Sequence, residues 1–180
     1  MLIAEKLSKT NTAEYLLYMW QVEDLIRAND CDIEHLKKNF LSQFQLESEE
    51  SHKVEEWYVN LVEMMHNEGV TEKGHLQINK NVLQELNTLH LQLCKSSKYP
   101  FYRSNYFKVL PYIVELRAKN HDKDALELEV CFDLLYGVMM LRLQKKKVSE
   151  ETIKAVDDIS RLLGQVSDFF LKEKEEPLEL

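Results

Sequence analysis

The chain has 180 residues, of which 44% are hydrophobic and 30% are charged, and its formal net charge at pH 7 is −8. Only four glycines and three prolines are present, too few for the turns of a sheet protein, so the composition predicts an all-α, single-domain bundle. Three cysteines without a Cys-x-x-Cys pair argue against a disulfide framework and predict free thiols in a cytoplasmic protein.

Helix start and stop signals predict about seven helices. They run from Asn11 to Ala28 or Asn29, from Asp32 to about Phe44, from Ser48 to Gly69, from about Gln77 to Lys95, from about Tyr102 to Lys119 with Pro111 as a kink or a new start, from Asp122 or Asp124 to Lys145–Lys147, and from Ser149 to about Lys172. The helical domain is therefore predicted to span residues 1–172. The acidic residues 173–180 are predicted to form a disordered tail.

Two of the predicted helices are apolar around most of their circumference. Residues 13–28 place Met19, Val22 and Ile26 on one arc of a helical wheel. Residues 124–144 are apolar except for a narrow strip that includes Asp133. We therefore expect two central apolar helices surrounded by more amphipathic ones.

Glu23 and Arg27 lie one helical turn apart, beside the apolar arc of the first of these helices. An intrahelical ion pair at the margin of the core is the simpler interpretation. The functional alternative is a charged pair at the wall of a pocket or a partner surface, with Trp20 as its aromatic neighbour.

The segment Gly69–Asn81 is the most polar and least helix-like stretch inside the domain. The simpler interpretation is a turn whose glycines allow positive φ and whose side chains cap the next helix. In the alternative, the backbone amides at the helix start bind an anion, with Lys73, His75 or Lys80 nearby. The segment contains no phosphate-binding motif such as GxxxxGK[ST].

The sequence gives weaker support to nucleic-acid binding, metal binding and nucleophilic catalysis. Residues 95–148 carry 11 basic and 6 acidic side chains, but the aromatic residues among them follow helical spacing, so nucleic-acid binding is not expected. Three Glu-x-x-His pairs occur, of which only Glu63 and His66 lie in a firm helix, so neither a metal nor another cofactor is predicted. No motif of a nucleophilic enzyme is present.

Three stretches of the sequence carry a family resemblance: Ala13–Arg27, Gly69–Asn81 and Leu110–Lys119. In these stretches, and as far as about Lys172, the chain resembles a small bacterial family of roughly this length that is classed as a domain of unknown function. The resemblance implies a cytoplasmic, helical, stand-alone protein. It implies no activity, cofactor or catalytic residue.

The polar residues of the three stretches form a hypothetical site for a ligand or a partner. The candidate residues are Trp20, Glu23, Arg27, His75, Asn79, Tyr112, Glu115 and Arg117. We predict a non-enzymatic interaction or regulatory module that binds a protein partner or itself through an apolar helix face rimmed by charges. The alternative is a domain that binds a small ligand or an anion, and an enzyme is the third choice. No membrane association is predicted.

Overall fold

The structure is a computed structural model that describes residues 3–43, 48–119 and 124–180. Within these residues the protein is all-α, which confirms the predicted fold class. The elements are α1 (Ile3–Thr10), α2 (Thr12–Arg27), α3 (Ile33–Asn39), a short 3₁₀ helix (Leu41–Gln43), α4 (Ser48–Asn67), α5 (Gln77–Lys95), α6 (Pro100–Lys119), α7 (Glu127–Leu143) and α8 (Glu150–Glu175). Helix α1 is additional to the seven predicted helices.

Two of the predicted helix starts are confirmed by capping hydrogen bonds. The Asp32 carboxylate accepts the backbone N–H groups of Glu34 and His35 at 2.8 and 3.0 Å. The Ser149 hydroxyl accepts the N–H of Thr152 at 3.1 Å. Each bond satisfies a donor that the first turn of a helix leaves without a partner, so these starts are fixed by local chemistry.

Helix α3 is shorter than predicted. It ends at Asn39, and Phe40 has left helical geometry with a φ of −128°. The 3₁₀ helix follows directly, so the chain tightens at this point instead of continuing as an α-helix. The predicted end at Phe44 lies outside the described residues.

Helix α7 begins at Glu127 rather than at Asp124, and the alternative start at Asp122 lies outside the described residues. The carboxylate of Glu129 accepts the N–H of Leu126 at 3.3 Å, which places the start of the helix after Leu126. The hydrogen bond from Leu126 to Glu129, and not Asp124, therefore marks the start of α7.

Helix α8 continues three residues beyond the predicted domain boundary at Lys172 and ends at Glu175. The Glu176 N–H still reaches the Lys172 carbonyl at 2.8 Å, so Glu173–Glu175 belong to the helix and not to the tail. After the helix, the Glu179 carboxylate lies 2.9 Å from the Lys98 ammonium group.

Helix α6 begins at Pro100 and is continuous through Pro111. Proline is favoured in the first turn of a helix, where its missing N–H costs nothing. Pro111 lies on the exposed side of α6, so its ring points away from the buried residues Val109 and Ile113.

The described chain divides into two compact units. The first contains the described parts of Met1–Ser8 and Glu14–Asn81, and the second contains the described parts of Lys9–Ala13 and Val82–Leu180. Each of the two predicted central helices belongs to a different unit. No helix in the described ranges is long enough and apolar enough to cross a bilayer.

Helix α2 contributes Met19, Val22 and Ile26 to the core of the first unit, and none of them is more than 3% exposed. Helix α7 differs from the prediction, because its C-terminal end is exposed. Phe132 is completely buried, whereas Leu143 is 67% exposed. The apolar character of α7 therefore exceeds what the core of its own unit uses.

Candidate functional site

The Glu23 cluster is formed in the first unit by α2 and the segment that leads into α5. Glu23 is fully buried, and both of its carboxylate oxygens accept hydrogen bonds. One oxygen accepts the Leu76 N–H at 3.0 Å and the Asn79 side-chain amide at 2.7 Å. The other lies 2.6 Å from Nδ1 of His75. The indole of Trp20 stacks on the His75 ring, with centroids 4.1 Å apart.

The Arg27 side chain binds backbone carbonyl groups of the same segment. Its guanidinium donates to the Val70 carbonyl at 3.1 and 3.3 Å and also to the Gly74 carbonyl. A further bond joins it to Asp24 at 2.8 Å. The predicted ion pair between Glu23 and Arg27 is therefore wrong: each of the two side chains binds the loop instead of the other.

The Glu23 cluster fastens the loop to helix α2. A buried carboxylate is tolerated only when hydrogen bonds replace its lost hydration, and three donors of the chain do so here. Tyr15 closes the cluster by donating to Asn79 at 3.5 Å. Burial and the nearby charge of Glu23 raise the pKa of Tyr15, so its hydroxyl stays a neutral donor.

The remaining predicted residues belong to the second unit, each with its own contacts. The Tyr112 hydroxyl donates to Asp158 at 3.4 Å. Glu115 pairs with Lys119 at 2.5 Å on the surface of α6. Arg117 donates to the Ala125 carbonyl at 2.5 Å, which fastens the end of α6 to the segment before α7. The structure thus brings the first two polar stretches together and gives the third separate partners.

A second buried polar network, centred on His90, was not predicted. His90 is fully buried on α5. One ring nitrogen lies 2.6 Å from the Tyr102 hydroxyl, and the other lies 3.2 Å from Glu127. The hydrogen bond with His90 is the main cause that lowers the pKa of Glu127. The network connects α5, α6 and α7.

Cys94 lies 3.7 Å from His90, which gives a Cys–His–Glu order that resembles a nucleophilic triad. Burial and the charge of Glu127, however, raise the pKa of Cys94 to about 12. At neutral pH the sulfur is therefore a thiol, which is not the nucleophilic form. The same two causes raise the pKa of Tyr106 to about 12. The network is suited to holding three helices together and not to covalent catalysis.

A shallow groove of about 530 Å³ runs between α6 and α7 in the second unit. Its walls include Leu116, Leu134 and Leu141, and its polar lining residues are Lys119, Asp133 and Thr152 of α8. Its volume is within the range of small-molecule pockets, but such pockets bind tightly when several polar groups converge on the ligand. Among the described residues, no group of three or more His, Cys, Asp or Glu side chains is placed to hold a metal ion.

The outward side of α6, here called the α6 face, combines apolar and charged side chains. Three columns of residues follow it with a spacing of seven: an apolar column of Phe107 and Val114, a central column of Ser104, Pro111 and Ala118, and a charged column of Lys108 and Glu115, all of them exposed. Phe107 is 59% and Val114 is 60% exposed, and Phe101, at the start of the helix, is 83% exposed. Along the helix, Ser104, Phe107, Pro111, Val114 and Ala118 follow one another at alternating spacings of three and four residues. This pattern is typical of a helix that packs along another helix.

Within the described residues, the protein is all-helical, the Glu23 and His90 clusters bind their own polar groups, and the α6 face is open and partly apolar. A family model for a domain of unknown function, DUF4924, matches residues 1–177, and the chain belongs to this family. This confirms the resemblance to an uncharacterised family. No curated protein and no solved structure matches the chain.

Proposed function

We propose that the chain is a non-enzymatic protein-interaction module and that its α6 face binds a helix of the partner. The observation that carries the proposal is the exposure of Phe107 and Val114, which lie seven residues apart on the same side of one helix. Full burial of such a side chain contributes about 1.5–3 kcal/mol. A partner helix packed on the α6 face would bury the Phe107 and Val114 side chains, which the fold of the chain leaves exposed.

The rim of the α6 face favours a protein partner over a lipid surface. Both signs of charge lie beside the apolar column, Lys108 on one turn and Glu115 two turns later. A mixed rim selects a partner with complementary charges in one orientation. An anionic membrane would attract Lys108 but repel Glu115.

The Glu23 cluster gives the alternative function less support. A site for an anion needs donors that are free to receive it, whereas the Leu76 N–H, the Asn79 amide and the His75 nitrogen already bind Glu23. The negative charge of the buried carboxylate would also repel an anion. Function is therefore better sought on the surface of α6 than in this cluster.

The proposal includes a cytoplasmic location and a bacterial origin. All three cysteines are free, and burial raises the pKa of both Cys94 and Cys131 to about 12. Unpaired thiols in the core suit a reducing compartment. The bacterial origin is supported by the resemblance of the three sequence stretches alone.

Photo-cross-linking in the native host tests the proposed function. A photoreactive amino acid is placed at Phe107 or at Val114, and the matched control places it at Leu91, an exposed apolar residue of α5. We expect one discrete adduct, the same from both positions of the α6 face, and none from the control. Equal labelling at all three positions, or no adduct from the α6 face, would overturn the proposal.

A further inference from the structure

We infer that the partner of the α6 face is a second copy of this chain, bound antiparallel about a two-fold axis at Pro111. This inference rests on the proposed function and names its partner. The order of the three columns along α6 fits a self-pairing register centred on Pro111.

The symmetry of an antiparallel helix pair makes each column of one copy face the same column of the other. An axis at Pro111 places this residue against its own copy, and it places Ser104 against Ala118 of the second copy. These residues are small, so the two helix backbones can approach closely. The central column therefore fits the middle of the contact.

The apolar column fits the same axis. With the two-fold axis at Pro111, Phe107 of each copy lies opposite Val114 of the other, so a large side chain meets a smaller one twice. Pairing of a large with a small residue fills the space between two helices without overlap. Both exposed side chains are then covered in the same arrangement.

The charged column fits it as well. Lys108 of each copy lies opposite Glu115 of the other, so each Glu115, which pairs with Lys119 of its own chain, gains a second positive neighbour. A parallel pair would instead turn the charged column of one copy toward the apolar column of the other. Lys108 would then face Phe107 and Glu115 would face Val114, so the Lys108 charge would lose water without an opposite charge from the second copy.

The length of the α6 face sets the strength of the dimer. From Ser104 to Ala118 it extends about 20 Å along the helix axis. The area that one pair of helices buries over this length is smaller than that of a standard interface, which is about 800 Å² per partner. The dimer is therefore expected to form and dissociate reversibly as the protein concentration changes.

Disulfide trapping tests the register with two single variants of the full chain, Ser104→Cys and Ala118→Cys. In the antiparallel dimer residue 104 meets residue 118, so mild oxidation of the mixture gives a cross-linked dimer. Residue 104 lies about 20 Å from its own copy, beyond the Cα separation of about 7 Å that a disulfide allows. Each variant alone is therefore expected to stay uncross-linked. The native cysteines are expected to react slowly, since Cys31 and Cys131 are buried and burial raises the pKa of Cys94 to about 12.

A cross-link in Ser104→Cys alone, as complete as in the mixture, would show a parallel pair and overturn the inference. The absence of any cross-link in all samples would overturn it too. If photo-cross-linking at Phe107 then yields an adduct of a mass other than two chains, the proposed function stands and only the second copy is excluded. If neither experiment yields a product, both proposals fail.

Charge reversal gives an independent test. Lys108→Glu and Glu115→Lys each create two like-charge contacts in the dimer and are expected to weaken self-association about fivefold to tenfold. The double variant restores opposite charges and is expected to return within about twofold of the wild type. Lys154→Glu, on the exposed surface of α8, is the matched control with no expected change. A double variant as weak as the single ones would overturn the inference.

Discussion

The Glu23 cluster buries polar side chains, whereas the α6 face exposes apolar ones. In the cluster, a carboxylate that is fully covered finds three donors within the first unit, so every strong interaction is used to hold a loop. On α6, Phe107 and Val114 stay more than half exposed within the second unit. The comparison shows that the charged and polar residues of the Glu23 cluster maintain the fold. The apolar surface that a partner could still bury lies on α6.

The largest expected effect is the loss of the buried carboxylate. Glu23→Ala leaves the Leu76 N–H and the Asn79 amide without an acceptor and creates a cavity beside Trp20. We expect the free energy of unfolding to fall by about 3–5 kcal/mol, the usual cost of breaking a buried charged network. Urea denaturation followed by circular dichroism measures this change.

Gln21→Ala, an exposed change on the same helix, is the matched control and is expected to alter the free energy of unfolding by no more than about 0.5 kcal/mol. If Glu23→Ala is as mild as this control, the cluster does not fasten the loop. The comparison with the α6 face would then fail, because Glu23 would be free for a function other than folding.

The His90 network predicts a pH dependence of stability. Its hydrogen bond to Glu127 lowers the pKa of this carboxyl from the ordinary 4.5. Deprotonated Glu127 therefore stabilises the fold fully above about pH 5, and this contribution is lost as the pH falls below 4.5 through the pKa of the folded state. The free energy of unfolding of the wild type should exceed that of Glu127→Gln at pH 7, and the gap should narrow by pH 3.

Urea titrations at several pH values give both curves. Glu85→Gln, an exposed change on α5, is expected to lie within about 0.5 kcal/mol of the wild type at pH 7. A gap between the wild type and Glu127→Gln that is as large at pH 3 as at pH 7 would show that the network does not depend on the charge of Glu127. Burial alone would then explain its role in the second unit.

Local signals predicted much of the fold. The caps at Asp32 and Ser149 and the whole of α5 followed from residues within one or two turns of each boundary. Where starts and ends differ, more than one local signal is present, and the sequence does not show which of them the fold uses. Helix α7 begins where Glu129 binds the Leu126 N–H, and three residues of the acidic tail continue helix α8 as far as Glu175.

The candidate site was predicted in part. Glu23 and Asn79 were grouped because both are polar residues of the stretches that carry the family resemblance. The Leu76 N–H that completes the cluster is a backbone group, which no side-chain pattern reveals. His90 follows Leu83 and Leu86 on the buried side of α5, and this spacing was the available signal. Its partner Glu127 lies 37 residues away in the sequence and could not be inferred.

The sequence predicts the apolar stripe of the α6 face, but not that this stripe is exposed. Phe107, Pro111 and Val114 are separated by four and three residues, which predicts an apolar stripe. A periodic stripe normally indicates the buried side of a helix. Here α6 has a second such stripe, with Tyr102, Val109 and Ile113, and it is this second stripe that the fold buries. Two stripes on one helix cannot be assigned to the inside and the outside from sequence alone.

Sedimentation velocity of the double variant Phe107→Ser, Val114→Ser beside the wild type tests the central claim most directly. We expect the wild type to approach twice the chain mass of 21.3 kDa as its concentration rises, and the variant to remain at the chain mass. Because both side chains are exposed in the single chain, the free energy of unfolding should change by no more than about 0.5 kcal/mol. A wild type that remains monomeric at every concentration, or a variant that associates equally well, would contradict the account.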